Sequence, residues 1–160
     1  MSFEAIYQTY YQKVFRLCMG YVNDDDWAKD LTQETFITVW QKLGQFRGES
    51  AVGTWIFRIA VNTCLRQLEK SKRIAWTDMR FHLEEKPHEE TEIRMRLLYQ
   101  CISELREIDR LIISLELEDL PQAEIAAIVG LAETNVRVRI HRIKQKLSQK
   151  FKEYEQSNRS

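Results

Sequence analysis

An all-α fold is predicted by three observations. Apolar residues recur at helical spacing through most of the chain, strand-like alternation is nowhere sustained, and only two prolines interrupt 160 residues. Phe3, Ile6, Tyr7, Tyr10, Val14, Leu17 and Cys18 predict a first helix. Asn23-Asp24-Asp25-Asp26 should end it and supply N-caps for the next. Ala28, Leu31, Phe36, Val39 and Leu43 continue the period in a second helix, and Gly44 to Thr54, with three of the five glycines, is expected to be the main internal loop. Trp55, Ile56, Ile59, Ala60, Thr63 and Leu68 then predict a third helix. The run MRFHLEEKPHEETE mixes charge with a proline and loses the period, which is the composition of a flexible linker. Periodicity resumes at Ile93, Leu97, Leu98, Cys101, Ile102 and Leu105 and continues from Leu111 to Leu115. The expected organisation is two small helical domains, residues 1–73 and 93–160, joined by a linker over 74–92.

The segment LPQAEIAAIVGLAETNVRVRIHRIKQKL, Leu120 to Leu147, has the pattern of a helix-turn-helix. Ile125, Ala126, Ile128 and Val129 give a short first helix an apolar face, with Ala126 small enough for a close crossing. Gly130 can adopt the positive φ that terminates a helix. Glu133 and Thr134 open the next helix, in which Val136, Ile140, Ile143 and Leu147 form the buried stripe. The opposite face carries Thr134, Val138, His141 and Gln145, flanked by Arg137 and Arg142. No acid occurs between Thr134 and Lys152. A one-signed face with hydrogen-bonding side chains at its centre suits the major groove of DNA, although a helical hairpin with a solvated basic face would share the pattern.

Charge balances overall at 24 basic and 24 acidic residues, but unevenly along the chain. Leu97 to Leu120 is acidic and Pro121 to Ser160 is basic, so the zero net charge conceals a bipolar molecule. Cys18, Cys64 and Cys101 lack CxxC spacing and are expected to be reduced and buried. His82, His88 and His141 make no metal-binding pair. Neither a metal nor a cofactor is expected, and no nucleophile–base pair or phosphate-binding glycine loop points to an enzyme. The first residues lack a basic stretch followed by an apolar run, and no later stretch approaches membrane-spanning length, so a cytoplasmic protein is expected.

Two segments of the N-terminal half invite a functional reading. In DLTQETFITVW, Asp30 to Trp40, the face opposite the apolar one shows Asp30, Gln33, Glu34, Ile37 and Gln41. An isoleucine stranded among carboxylates and amides suits docking onto a basic partner surface, with Ile37 desolvated and the acids giving orientation. One stray exposed isoleucine is also common on an ordinary solvated face. FRGESAVGTWIFRIAVNTCLRQLEKSKR, Phe46 to Arg73, places a glycine-bearing loop before an aromatic and basic helix, materials suited to an unstacked base and a single strand. Trp55 and Phe57 fit that surface or the core, and spacing favours the core for Trp55.

These three motifs, in this order, resemble a sigma-70 family sigma factor of the extracytoplasmic-function (ECF) group, which has only regions two and four of the larger sigma factors. The resemblance covers about Phe3 to Arg73 and Ile93 to Phe151. It implies a transcription initiation factor that binds core RNA polymerase through the β′ clamp helices and the β flap, binds promoter DNA, and is commonly restrained by an anti-sigma factor. Asp30, Gln33, Glu34, Ile37 and Trp40 match the family's clamp-binding helix. The loop beginning Phe46, Arg47, Gly48, Glu49 and Ser50 and running to Thr54 matches the segment that captures a flipped minus-10 base, and Trp55, Arg58, Asn62 and Arg66 match the helix that guides the opening DNA. Arg137, Val138, His141 and Arg142 match the minus-35 readers, with Thr134 and Asn135 near phosphates; Lys146, one helical turn beyond Arg142, extends this basic face. Two positions depart from the family pattern. Gly53 stands where a bulkier residue is usual, and Val138 stands where a small hydroxyl residue is frequent.

Two rival readings separate by experiment. A stand-alone helix-turn-helix regulator would bind its operator tightly without polymerase, whereas a sigma factor should bind promoter DNA weakly alone. A helical adaptor without a DNA role leaves the basic face of Thr134 to Lys152 unexplained.

Overall fold

The computed structural model describes residues 2–74 and 90–159. Among them are helices α1 (Phe3–Val22), α2 (Asp25–Lys42), α3 (Val52–Ile74), α4 (Glu90–Ser103), α5 (Glu107–Leu117), α6 (Gln122–Val129) and α7 (Glu133–Arg159), with one 3-10 turn at Leu43–Gln45. The described residues contain no strand. Most of the expected linker lies outside the described residues; its outermost positions, Ile74 and Glu90 to Glu92, are helical.

The caps follow from the sequence. Ser2 Oγ accepts the Ala5 N–H at 3.2 Å, and Asp24 accepts the Trp27 N–H at 2.8 Å. Each satisfies a donor that the first helical turn leaves open. Asn23, at φ 50°, closes α1 by donating its N–H to Met19 O. The two-residue link to α2 is therefore a left-handed residue followed by a capping aspartate. The expected loop is shorter than Gly44 to Thr54, because Val52, Gly53 and Thr54 already form the first turn of α3.

The core is continuous through both halves of the chain. Ile6, Val14, Leu17 and Cys18 of α1, Leu31 and Phe36 of α2 and Ile56, Ala60 and Cys64 of α3 belong to the same buried cluster as Ile102, Leu111, Ile112 and Leu115. α1 is the shared element, packed on α2 and α3 and also on α4 and α5. Cys18 and Cys64, 46 positions apart in sequence, meet inside it with sulfurs 3.9 Å apart. The hydrogen bond with Cys18 and then burial push the Cys64 thiol up. Buried Thr32, Thr35 and Thr63 return their hydroxyls to Ala28 O, Leu31 O and Ile59 O at 2.7, 2.7 and 2.9 Å. These polar groups are thus satisfied within their own helices.

In the C-terminal half, α6 and α7 pack on each other and on α5. Gly130, at φ 76°, ends α6 with its N–H on Ala126 O at 2.9 Å, and the Leu131 N–H reaches the same carbonyl at 3.1 Å. Val136, Ile140, Ile143 and Leu147 are all buried. The turn therefore sets the angle at which α7 leaves, and the stripe sets its rotation.

A methyl group on Gly130 would meet nothing within 4 Å, so substitution there tests backbone conformation alone. Gly130→Ala is expected to cost about 1–2 kcal/mol, the penalty of a left-handed non-glycine residue. Urea unfolding followed by circular dichroism measures it; an unchanged midpoint would show that the turn does not depend on glycine.

Candidate docking and nucleic-acid interfaces

The outer face of α2 has the character expected from its sequence. Asp30, Gln33, Glu34, Ile37, Trp40 and Gln41 are all exposed, while Ala28, Leu31, Phe36 and Val39 are buried beneath them. Ile37 and Trp40 are 56% and 66% exposed. Both border a shallow groove whose remaining lining is Phe3, Tyr7, Gln33, Phe36 and Gln41. The groove owes its floor to an aromatic ladder: Tyr7 meets the Phe36 edge at 5.0 Å and Tyr11 at 5.1 Å. Phe3 and Tyr7 belong to this surface through α1, a contribution that the α2 periodicity alone does not reveal. Glu34 accepts a hydrogen bond from Gln67 of α3 at 2.9 Å, so one acid of the face is already oriented.

The second candidate surface begins at the loop before α3. Arg47, Gly48 and Glu49 are exposed, and Phe46 and Ser50 partly so. Gly48 takes φ 71°, a left-handed conformation that favours glycine. Phe46 packs on Trp55 with ring centroids 4.8 Å apart, which ties the loop to α3. Trp55 is partly buried against the core, and Phe57 is buried within it. Arg58, Asn62 and Arg66 line the exposed face of α3. The Gly53 departure has a local cause: a Cβ there would lie 3.1 Å from the Tyr10 ring and hydroxyl. Tyr10 stacks edge-on against Phe57, so the bulk missing at position 53 is supplied by α1.

The third surface is the outer face of α7. Thr134, Asn135, Arg137, Val138, His141, Arg142 and Lys146 are all exposed, Val138 by 47%. The basic helix is less free than its composition suggests. Arg139 Nη1 donates to Asp109 of α5 at 2.9 Å, and its Nε donates to Asn135 at 2.9 Å. Lys144 lies 3.9 Å from Glu116, and Lys150 pairs with Glu104. The acidic stretch of α4 and α5 thus neutralises one flank of α7. Lys150, which charge pattern alone would assign to DNA phosphates, is a tether to Glu104 in the turn that follows α4. Arg137 rests 3.9 Å from Glu133 of its own helix, whereas no ion pair involves Arg142 or Lys146 among the described residues. Asn135 is likewise committed in part to Arg139.

Among the described residues, no group of three or more His, Cys, Asp or Glu residues is arranged to hold a metal ion. No helix among them is long and apolar enough to cross a membrane.

Residues 6–74 match sigma-70 region 2, and residues 95–147 match sigma-70 region 4. The RNA polymerase sigma-H factor of Pseudomonas aeruginosa is 30% identical over 160 residues, covering 90% of this chain and 83% of its own. The ECF RNA polymerase sigma-E factor of Haemophilus influenzae is 32% identical over 166 residues, covering 94% and 87%. Among solved structures, the sigma factor RpoE in complex with the anti-sigma factor NepR from Bartonella quintana superposes with a TM-score of 0.82 at 21% identity. That match covers 94% of this chain and 96% of the other.

The divided roles of the α7 cations are measurable. Asp109→Ala is expected to destabilise the protein by about 1.5–3 kcal/mol, since it strands a partly buried guanidinium. Arg142→Ala is expected to leave the thermal midpoint unchanged. Equal effects in thermal unfolding of the two variants would contradict the assignment.

Proposed function

The chain belongs to the sigma-70 family of RNA polymerase sigma factors, in the ECF group, and from that premise we propose how its exposed surfaces divide the work of initiation. It is a transcription initiation factor that directs RNA polymerase to promoters, and it is not an enzyme. Nucleotidyl transfer belongs to the polymerase. The chain's own contribution is recognition.

Asp30, Gln33, Glu34, Ile37 and Trp40 form the docking face for the β′ clamp helices, extended by Phe3 and Tyr7. The observation that carries this reading is the exposure of Ile37 and Trp40 beside an apolar groove, in a helix whose other face is packed. Large apolar side chains held in water by a rigid helix gain most when a partner covers them. Phe46 to Ser50 take the flipped minus-10 base, and Trp55, Arg58, Asn62 and Arg66 guide the separating strand. Residues 1–73 act as the polymerase and minus-10 region, and 93–160 as the minus-35 region, which also engages the β flap.

On α7, Arg137 and Arg142 are the candidates for bidentate contact with a guanine edge, while Val138 offers only apolar contact, such as to a thymine methyl. Lys146 lies farther along the same face and acts on phosphate. Arg139, engaged by Asp109 and Asn135, holds the helix in place instead of reading DNA. The Bartonella relative was solved with an anti-sigma factor, which supports a comparable protein inhibitor for this chain. A cytoplasmic location follows from the polymerase it serves.

Two measurements test the assignment. Ile37→Asp combined with Gln33→Ala is expected to abolish co-purification with core polymerase while helicity is retained, because an unpaired carboxylate in the contact costs several kcal/mol. Wild-type affinity would refute the docking face. Open-complex formation by holoenzyme on minus-35 variants at several salt concentrations separates the arginine roles. A lost guanine contact relaxes preference at one base pair and costs about 1–3 kcal/mol, whereas a lost phosphate contact weakens all sequences and lowers the salt slope by about one. Unchanged preference in both Arg137→Ala and Arg142→Ala would remove α7 as the reader.

A further inference from the structure

We propose that Asp109 of α5 is a positioning residue for minus-35 DNA, acting through Arg139 to hold the Asn135 carboxamide with its Nδ2–H groups free for a backbone phosphate. The inference rests on the proposed minus-35 reading by α7 and adds to it a residue from another helix. Asp109 stands 30 positions before Arg139 in sequence, and its carboxylate accepts from Arg139 Nη1 at 2.9 Å. The same guanidinium donates from Nε to Asn135 Oδ1 at 2.9 Å, one helical turn back along α7. The ion pair is partly enclosed, with the Asp109 side chain 18% exposed and that of Arg139 30%. Asn135 itself is exposed, in the first turn of α7.

The chemistry of the guanidinium decides which end of Asn135 is held. Arginine donates at its nitrogens and accepts at none, so the carboxamide atom facing it is the oxygen. The Nδ2 donors are then the unengaged end, and no partner for them occurs among the described residues. Such an end fits a ligand that only accepts, as a phosphate oxygen does. A carboxamide not so held rotates about its terminal bond and offers oxygen as readily as nitrogen. Its oxygen would repel a phosphate. Arg139 can hold Asn135 because Arg139 is itself held, its guanidinium drawn towards α5 by the charge-assisted bond to Asp109. Without that anchor the long arginine side chain regains its rotamers, and the cost of ordering Asn135 falls on the DNA complex. Arg137, by contrast, has a 3.9 Å approach to Glu133, and no ion pair involves Arg142 or Lys146 among the described residues. Within this face the fold orients Asn135 before DNA arrives.

The test is promoter binding by reconstituted holoenzyme on fragments in which each phosphate flanking the minus-35 element is replaced, one at a time, by a neutral methylphosphonate. One replacement is expected to weaken wild-type binding about tenfold, the loss of one hydrogen bond to a charged group, and to have no effect in Asn135→Ala. That position is the Asn135 phosphate. Asp109→Ala should silence the same position while those governed by Lys146 stay sensitive. Asp109→Asn keeps an acceptor for Arg139 and should restore the sensitivity. A general loosening of α7 would instead dull every position alike. That result, or undiminished sensitivity at the Asn135 phosphate in Asp109→Ala, would overturn the inference. If Asp109→Ala does not fold by circular dichroism, Asp109→Leu combined with Arg139→Met removes the relay without stranding a charge and is read in the same way. Sensitivity to minus-35 phosphates, none of them dependent on Asn135, would overturn the inference and leave the promoter reading standing. Insensitivity of the wild-type factor to every minus-35 phosphate would overturn both.

Discussion

The burial of α1 on two sides is the constraint on which the rest of this structure depends. Ile6, Val14, Leu17, Cys18 and Tyr21 are buried, and Phe3, Tyr7, Tyr10, Tyr11 and Phe15 pack partly against the same core. A helix apolar around so much of its circumference needs neighbours on more than one side. α2 and α3 cover one part, and α4 and α5 cover another. The same helix supplies Phe3 and Tyr7 to the docking groove, Tyr10 to the space above Gly53, and Arg16, Gly20 and Tyr21 to the contact with α5. Both candidate surfaces of the N-terminal half are thus set by residues of a helix that family motifs do not emphasise.

Charge is organised by the same economy of neighbours. A helix with seven cations between Arg137 and Lys152 repels itself unless some are neutralised, and α5 supplies Asp109 and Glu116, and the turn before it Glu104, along one flank. Most of these pairs are partly exposed and individually worth little. The Arg139–Asp109–Asn135 arrangement is the more enclosed one, and it holds the start of α7 in orientation against α5. Pairing one flank leaves the opposite face positive and unobstructed, which is the condition for approach to a phosphate backbone. Zero net charge and a basic outer face on α7 are therefore compatible, because acids of the same chain pair with the opposite flank.

What was legible in the sequence is what local periodicity and capping decide. The buried stripe of α7, the left-handed turn at Gly130, the aspartate cap of α2 and the packed and open faces of α2 all stand where spacing puts them. Glycine content marks Gly53 as loop, whereas α3 already begins at Val52 and Gly53 serves close approach to Tyr10 inside the helix. Long-range contacts were not legible. Nothing in spacing pairs Arg16 with Glu118, Thr54 with Glu124 or Cys18 with Cys64, because each partner serves an unrelated local pattern. The α2 and α7 candidates were legible as exposed, whereas spacing favoured the core for Trp55, which is partly buried; the assignment of all of them to polymerase, minus-10 or minus-35 DNA came from the family resemblance and not from periodicity.

The distribution of unsatisfied polar groups sets the surroundings of α5 apart from the rest of the core. An orphaned buried donor or acceptor costs about 1–3 kcal/mol, so a chain under selection for stability alone would remove it or pair it. Within α2 and α3 the buried hydroxyls are paired. Among the described residues, Tyr21 Oη, Arg110 Nε and Ser114 Oγ are orphaned where α1 meets α5, and Glu116 Oε2 is orphaned on the side towards Lys144 of α7; at the first place burial, then the charge of Glu107, pushes the Tyr21 phenol well above its ordinary range, with Arg110 opposing. The same contact carries the bidentate Arg16–Glu118 pair, so unpaired groups and a well-made ion pair stand side by side where the two halves of the chain meet.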